Sequence, residues 1–334
     1  MGPFILSILA AFLLSFAVQF LVIYMSHKHD LFIDAHTEAK PQNFHQFSTP
    51  RAGGIGIFLS MIFLLFTPLG WKLLLSMLLA FASGIFEDFH QSLSPKARLL
   101  LQLIAALSAV VLTNSVVTYL GLGITLPYWL GIFFSVFSIV GLMNAVNIID
   151  GFNGLASGIV LLILVSFGIV AIEVGSDEIL QITSLIAAGV LGFFILNFPK
   201  GKIFLGDGGA YLLGFITALI GIFLASNYED VSPWYILAAL IYPVWEVIFS
   251  IIRKTKAKRS PLEPDAYHLH MLIYKHITQN NPLTSLSIIG MTAPFMLLST
   301  LYANNSKFNL LLVAVFVSCY LMLYRYLYKK ESIA

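Results

Sequence analysis

The sequence predicts an all-α fold, a polytopic membrane bundle of about eleven transmembrane helices forming one integral membrane domain over residues 1–334. Three observations predict it. Hydrophobic residues make up 59% of the chain and charged residues 10%, and the mean hydropathy of +0.91 lies far outside the range of soluble domains. Apolar runs long enough to span a bilayer recur along the chain, and the basic residues fall in alternate loops. The formal net charge of +2 says little, because in a membrane the placement of charge matters more than its sum. No nucleic-acid partner is expected. The single cysteine, Cys319, lies in an apolar run and excludes an intramolecular disulfide.

At ~17 to 25 residues for a hydrocarbon core of ~30 Å, eleven runs qualify. They fall at about 3–25, 53–69, 71–86, 99–119, 126–144, 154–173, 179–197, 208–226, 233–252, 284–303 and 308–328. The first has no basic leader and no small-residue cleavage site, so it reads as a retained helix. The second and third are the weakest, because Pro68, Gly70 and Trp71 allow a short turn or a re-entrant pair. Kept as two helices, they make the charge pattern work. Of 18 Lys and Arg, only Lys72 and Lys307 then fall on one side of the membrane. The other side is cytoplasmic by the positive-inside rule, which puts the N-terminus outside and the C-terminus inside. Asp177, Glu178, Glu229 and Asp230 sit in short outer loops and read as solvating acids. Five cytoplasmic loops, at about 27–52, 87–98, 144–153, 198–207 and 253–283, hold nearly all the unusual polar chemistry.

The stretch Asn144 to Leu155 places three amides, Asp150 and two glycines at a membrane boundary, where ionisable and polar groups are kept out unless they have work to do. Segments running outward from the cytoplasm begin at Gly53-Gly54, Ser94-Pro95, Asn153-Gly154 and Asp207-Gly208-Gly209. Helix N-termini carry unpaired N–H groups, so this arrangement suits phosphates. The plainer alternative is that Asn153 and Asp207 are N-caps. Capping leaves Asn147, Asp150 and the pair Glu87-Asp88 unexplained. Acidic side chains near an anionic substrate suit Mg²⁺, with Mn²⁺ as the second choice. His268 and His270, at i and i+2, share one side of an extended segment, where they serve a pyrophosphate or simply stabilise the loop.

Three ordered motifs carry a resemblance: Asn144-Ala-Val-Asn-Ile-Ile-Asp-Gly-Phe-Asn-Gly-Leu-Ala, Gly206-Asp-Gly-Gly-Ala-Tyr-Leu-Leu-Gly, and Pro264-Asp-Ala-Tyr-His-Leu-His. They resemble the polyprenyl-phosphate N-acetylhexosamine-1-phosphate transferases of glycosyltransferase family 4, relatives of the peptidoglycan phospho-MurNAc-pentapeptide translocase. The resemblance implies transfer of a sugar 1-phosphate from a UDP-N-acetylamino sugar to undecaprenyl phosphate, with release of UMP and dependence on Mg²⁺. It implies a bacterial inner membrane, with membrane lipids as surroundings and a homodimer entertained as the oligomer. Position by position, it makes Asp207 the metal aspartate and Asn147 an amide near the metal. It sets Asn153 near the uracil, with Gly206 and Asp150 beside the substrate, and His268 and His270 near the diphosphate, although the three-histidine form is absent. Glu87-Asp88 matches an acidic pair usually written Asp-Asp, with a third aspartate three residues later where this chain has Gln91. That departure looks like the O-antigen and outer-core initiating subgroup.

The chemistry this implies is attack of a lipid phosphate oxyanion on the sugar-bearing phosphorus, mostly by positioning and charge neutralisation. Asp88 is then an orienting group or base, and Lys96 and Arg98 could hold the lipid phosphate. The rival class is an ion-coupled transporter, which predicts acids in helix centres. Only Glu246, beside Pro243 and Trp245, answers to that.

Overall fold

The computed structural model describes residues 2–29, 32, 49–89, 93–260 and 265–331. Gln91, most of the 36–51 loop and residues 261–264, including Pro264, fall outside the described residues. The chain forms helices α1 (Gly2–His29), α2 (Gly53–Ser60), α3 (Gly70–Asp88), α4 (Pro95–Thr113), α5 (Tyr128–Ile149), α6 (Leu155–Glu173), α7 (Asp177–Asn197), α8 (Gly206–Asn227), α9 (Pro233–Ala239), α10 (Ile241–Lys256), α11 (Leu269–Ile273), α12 (Asn281–Leu301) and α13 (Ser306–Glu331). Among the described residues there is no strand. The bundle is a polytopic helical membrane protein.

Two of the eleven expected spans take a different form. Nine helices among the described residues are long and apolar enough to cross, and the α9–α10 pair makes up to ten. The run expected at 53–69 is shorter. Eight α-helical residues pass into a 3-10 turn over Met61–Phe66, and at ~1.5 and ~2.0 Å per residue the pair reaches about 24 Å, short of a ~30 Å core. Leu69 N–H then bonds the Glu178 carboxylate at 2.7 Å. Glu178, expected to be merely solvating, thus ties this turn to the start of α7. The run expected at 233–252 is broken, with α9 and α10 at 79°. Pro243 offers no N–H to the carbonyl four residues back, so the chain cannot run straight through, and the break falls at Leu240.

The core is built around α8, whose apolar window is 89% buried, against 22% for α1 and 28% for α13. It packs between α3 and α5, with α2, α4 and α6 beside them. Close approach to α3 depends on Gly84, where a Cβ would collide with the Asp207 backbone. The peripheral helices turn Phe66, Trp129, Phe133 and Phe137 outward, as lipid-facing surfaces require. One end of the bundle collects the C-terminal ends of α3 and α5, the N-terminal ends of α2, α4, α6 and α8, and the segment leading into α11.

Candidate active site at one end of the bundle

Gly206 opens α8 with φ +76. A Cβ there would stand 2.7 and 2.8 Å from the two Asp88 carboxylate oxygens. Glycine therefore lets Asp88, the last residue of α3, reach under the start of α8. Its Oδ1 accepts the Asp207 N–H and its Oδ2 the Gly208 N–H, both at 2.9 Å. Asp88 is buried, and both of its carboxyl oxygens are taken up by backbone N–H groups at the start of α8.

Asp207 itself is not the cap that its residue type allowed. It stands in the first turn of α8, its side chain 16% exposed. Asn147 Nδ2 donates to its Oδ1 at 3.0 Å. Arg98 Nη1 lies 3.5 Å from Oδ2 and Arg51 Nη2 3.6 Å from Oδ1. Glu87 joins the cluster through Arg98 at 3.7 Å. These are long, partly exposed ion pairs, worth ~0 to 1 kcal/mol each, so Asp207 is available to a stronger cation. Lys96 is exposed in the first turn of α4, beside Ser94, which does cap that helix through the Ala97 N–H at 3.2 Å.

Asp150 ends α5, and burial pushes its carboxyl up to about 7, with Arg51 opposing and Asp207 adding to the shift. Asn153 is not the N-cap of α6 either: that position is Gly154, with φ +77. The Gly154 N–H goes instead to Asn197 Oδ1 at 2.6 Å, and the Asn153 N–H to Asn281 Oδ1 at 2.8 Å. Asn153 Nδ2 donates to the Pro199 carbonyl, while its buried Oδ1 has no partner among the described residues. At α2, the Gly53 and Gly54 N–H groups go to the carbonyls of Phe204 and Leu205, both at 2.9 Å. The expectation of open N–H anion sites at these helix starts is thereby corrected. Buried donors need acceptors before any ligand arrives, and the protein supplies them.

The histidines reach the same end. A Cβ at Gly151 would lie 3.8 Å from His270 Nε2, and the Phe152 ring meets the His270 ring edge-on at 5.7 Å. His270 Nδ1 bonds the Tyr242 hydroxyl at 3.1 Å, and its buried Nε2 has no partner among the described residues. Burial lowers its pKa to about 4, so the ring is neutral at pH 7. His268 Nδ1 bonds Glu246 Oε2 at 3.0 Å, and Asp265 is held by both terminal nitrogens of Arg253, at 2.8 and 2.9 Å. Glu246 is thus committed to the histidine segment rather than set at a bilayer midplane, and the feature that favoured a transporter goes with it. Asp265 is half-buried, which raises its pKa, but the Arg253 bonds outweigh that and hold the carboxyl below its usual range.

The structure joins Asp88, Glu87, Asn147, Arg98, Asp207 and Gly206 in one polar cluster, with Asp150 and Arg51 within its field. Asn153 sits on the neighbouring loop, Gly151 to Gly154, and His270 packs against that loop. Sequence reading missed Arg51, Asn197, Asn281 and Tyr242, and singled out Glu246 only as the acid a transporter would need. Glu246 carried a signal, an acid inside an apolar run, and the others carried none.

Comparison with known proteins places this arrangement. The model of the family described as "Glycosyl transferase family 4" matches residues 70–225, which hold the acidic pair, Asn147 and Asp207. A probable undecaprenyl-phosphate N-acetylglucosaminyl 1-phosphate transferase of Bacillus subtilis is 28% identical over 280 residues, covering 79% of this chain and 76% of its own. A phospho-N-acetylmuramoyl-pentapeptide-transferase of Streptococcus sanguinis is 34% identical over 178 residues, covering 52% of this chain and 53% of its own. The namesake of Streptococcus agalactiae serotype Ia is 36% identical over 149 residues, covering 43% and 44%, so the chain spans about half the length of these two relatives. The chain thus matches the glycosyl transferase family 4 model over residues 70–225, and with these relatives it is a membrane phosphosugar transferase.

Proposed function

We propose that the chain transfers an N-acetylhexosamine-1-phosphate, or a related N-acetylamino sugar 1-phosphate, from a UDP-sugar to undecaprenyl phosphate, releasing UMP. This starts a lipid-linked cell-surface polysaccharide such as O-antigen, at the cytoplasmic face of a bacterial inner membrane. The observation that carries the reading is Asp207 at the start of α8, set among Asn147, Arg51 and Arg98 with Asp88 fixed beneath it. It draws support from the Bacillus subtilis relative, whose name states the same acceptor and bond type.

The donor set fits Mg²⁺. Among the described residues no group of three His, Cys, Asp or Glu makes a self-contained cage. An ion that takes most of its ligands from phosphate and water needs only one or two carboxylates. Asp207 and the Asn147 amide oxygen would hold it, and when bound it supplies charge neutralisation at the donor diphosphate. Asp88, with both oxygens on backbone N–H groups, keeps Asp207 in place. Arg98 and Arg51, each within ion-pair distance of Asp207, are positioned to donate to phosphate oxygens, with Lys96 at the lipid side. Asn153 and Asn281 frame the nucleobase side, and the His268-His270 segment closes over Gly151. A phosphate monoester with second pKa near ~6 is largely ionised already and needs little general base.

Purified protein given UDP-N-acetylhexosamine and undecaprenyl phosphate is expected to yield UMP and a lipid diphosphosugar. Release of free sugar without a lipid product would mean another reaction.

A further inference from the structure

The face of α10 turned to the core is polar. Tyr242, Glu246, Ser250 and Lys254 recur every four residues and all are buried, which places them in one row along the helix. Against this row lies the segment from Asp265 to His270. Tyr242 meets His270 Nδ1 at 3.1 Å. Glu246 meets His268 Nδ1 through Oε2 at 3.0 Å and the Leu269 N–H through Oε1 at 3.1 Å. At the far end Lys254 Nζ stands 3.9 Å from Asp265, beside the Arg253 pair. The row therefore fixes the segment rung by rung.

We propose that Glu246 is the positioning residue of the histidine pair, holding the proton on His268 Nδ1 and thereby the plane of both imidazoles. A carboxylate only accepts, so the His268 nitrogen facing it must donate. The other nitrogen, Nε2, points away from Glu246 and lies 3.8 Å from Asp265 Oδ1. The two imidazoles stack at 5.3 Å and 3°, so the ring that Glu246 fixes is the wall against which His270 rests. His270 in turn sets its Nε2, which has no partner among the described residues, against Gly151. Glu246 is 1% exposed and lies behind the pair, so it acts through them. It stands outside the three motifs and outside residues 70–225 matched by the family. The inference rests on the proposed transfer reaction for its kinetic consequence, while its structural content stands apart from that reaction.

The substitution Glu246→Gln separates the two. Glutamine keeps the size of the side chain and still offers one oxygen. The Leu269 N–H can only donate and claims that oxygen, which leaves an amide N–H facing His268. The imidazole can answer by moving its proton to Nε2. Nitrogen-15 spectra of histidine-labelled full-length protein in nanodiscs read this directly, with His268→Asn identifying the signal. We expect a proton on Nδ1 in the parent protein and on Nε2 alone in Glu246→Gln. The rate of transfer should fall ~10- to 100-fold with a smaller change in KM, as for other residues that orient a functional imidazole. In a double-mutant cycle Glu246→Gln and His268→Asn should be strongly non-additive. A parent His268 with no proton on Nδ1, an unchanged tautomer in the glutamine variant, or additive losses would each overturn the proposal. The parent spectrum decides even if the variant does not fold. A parent protein that makes no lipid diphosphosugar refutes the transfer reaction and leaves the tautomer test standing.

Discussion

At the scale of single residues, the site works by dividing labour between two neighbouring carboxylates. Asp88 is spent on backbone donors, and Asp207 has, among the described residues, long ion pairs and one amide bond. The two substitutions should therefore fail differently. Asp207→Asn removes the negative charge that the proposed Mg²⁺ would meet but keeps the side chain's shape. It should lower Mg²⁺-dependent transfer by roughly 10²-fold or more while the protein still inserts and melts normally, and full activity would remove Asp207 from the metal site. Asp88→Ala leaves two buried N–H groups without an acceptor, at a cost of ~1 to 3 kcal/mol each. Its main signature should be a lower melting temperature with activity lost alongside. His270 adds a pH dependence of defined sign. Its pKa is about 4 in the fold against 6.5 for the free side chain, because burial disfavours the cation. A depressed folded pKa gives stability that is present above 6.5 and lost as pH falls toward 4. Thermal melts of the protein in detergent should drop across that window, and His270→Gln should flatten the drop.

At the scale of elements, the crossing of α3 and α8 is what brings Asp88 to Asp207, and it rests on glycine. Gly206→Ala adds a Cβ to a positive-φ position and drives it against the Asp88 carboxylate and the Arg51 carbonyl. Gly123, with φ +81 and nothing within 4 Å of a Cβ, measures the backbone strain alone. Strain of this kind costs ~1 to 3 kcal/mol, so Gly206→Ala should destabilise by clearly more than Gly123→Ala in parallel melts. Equal losses would mean that Asp88 yields freely. The elements themselves were legible in hydropathy, since ten of the eleven apolar runs coincide with α1, α3 to α8, the α9–α10 pair, α12 and α13. The 53–66 turn was legible only as a weakness at Pro68 and Gly70. The cluster of Asp88, Asn147 and Asp207 was legible as well, because polar motifs at helix ends of an apolar chain have few reasons to exist. What periodicity does not carry is which distant groups satisfy one another. Asn281 lies 128 residues from Asn153, and Asn197 lies 43 residues from Gly154. Those partners follow from how helices pack side by side, and so does the commitment of Glu246 to His268.

For the whole molecule, the path of the chain fixes which ends share a side. The 53–66 segment leaves the site end near Arg51, and α3 returns there at Asp88, so the pair closes a hairpin whether or not its turn reaches the far surface. Each of α4 to α8, the bent α9–α10 pair and α12 then crosses in alternation. α13 comes back to the site end, where Glu331 bonds Lys275 and His276, just beyond the histidine segment. α1 runs toward that end too, and its Gln19 bonds the Gly53 carbonyl at 2.6 Å. The start of α1 therefore lies at the opposite end from the end of α13. We propose the absolute sense from charge: Lys28, Lys96, Arg98, Lys200, Lys202 and Arg253 to Arg259 lie toward the site end, and the positive-inside rule favours that end as cytoplasmic. A reporter fused after Ala334 should accordingly read cytoplasmic, and one fused ahead of Met1 external. An external signal at the C-terminus would put Asp207 on the wrong side for a cytoplasmic UDP-sugar and overturn the proposed reaction together with the topology.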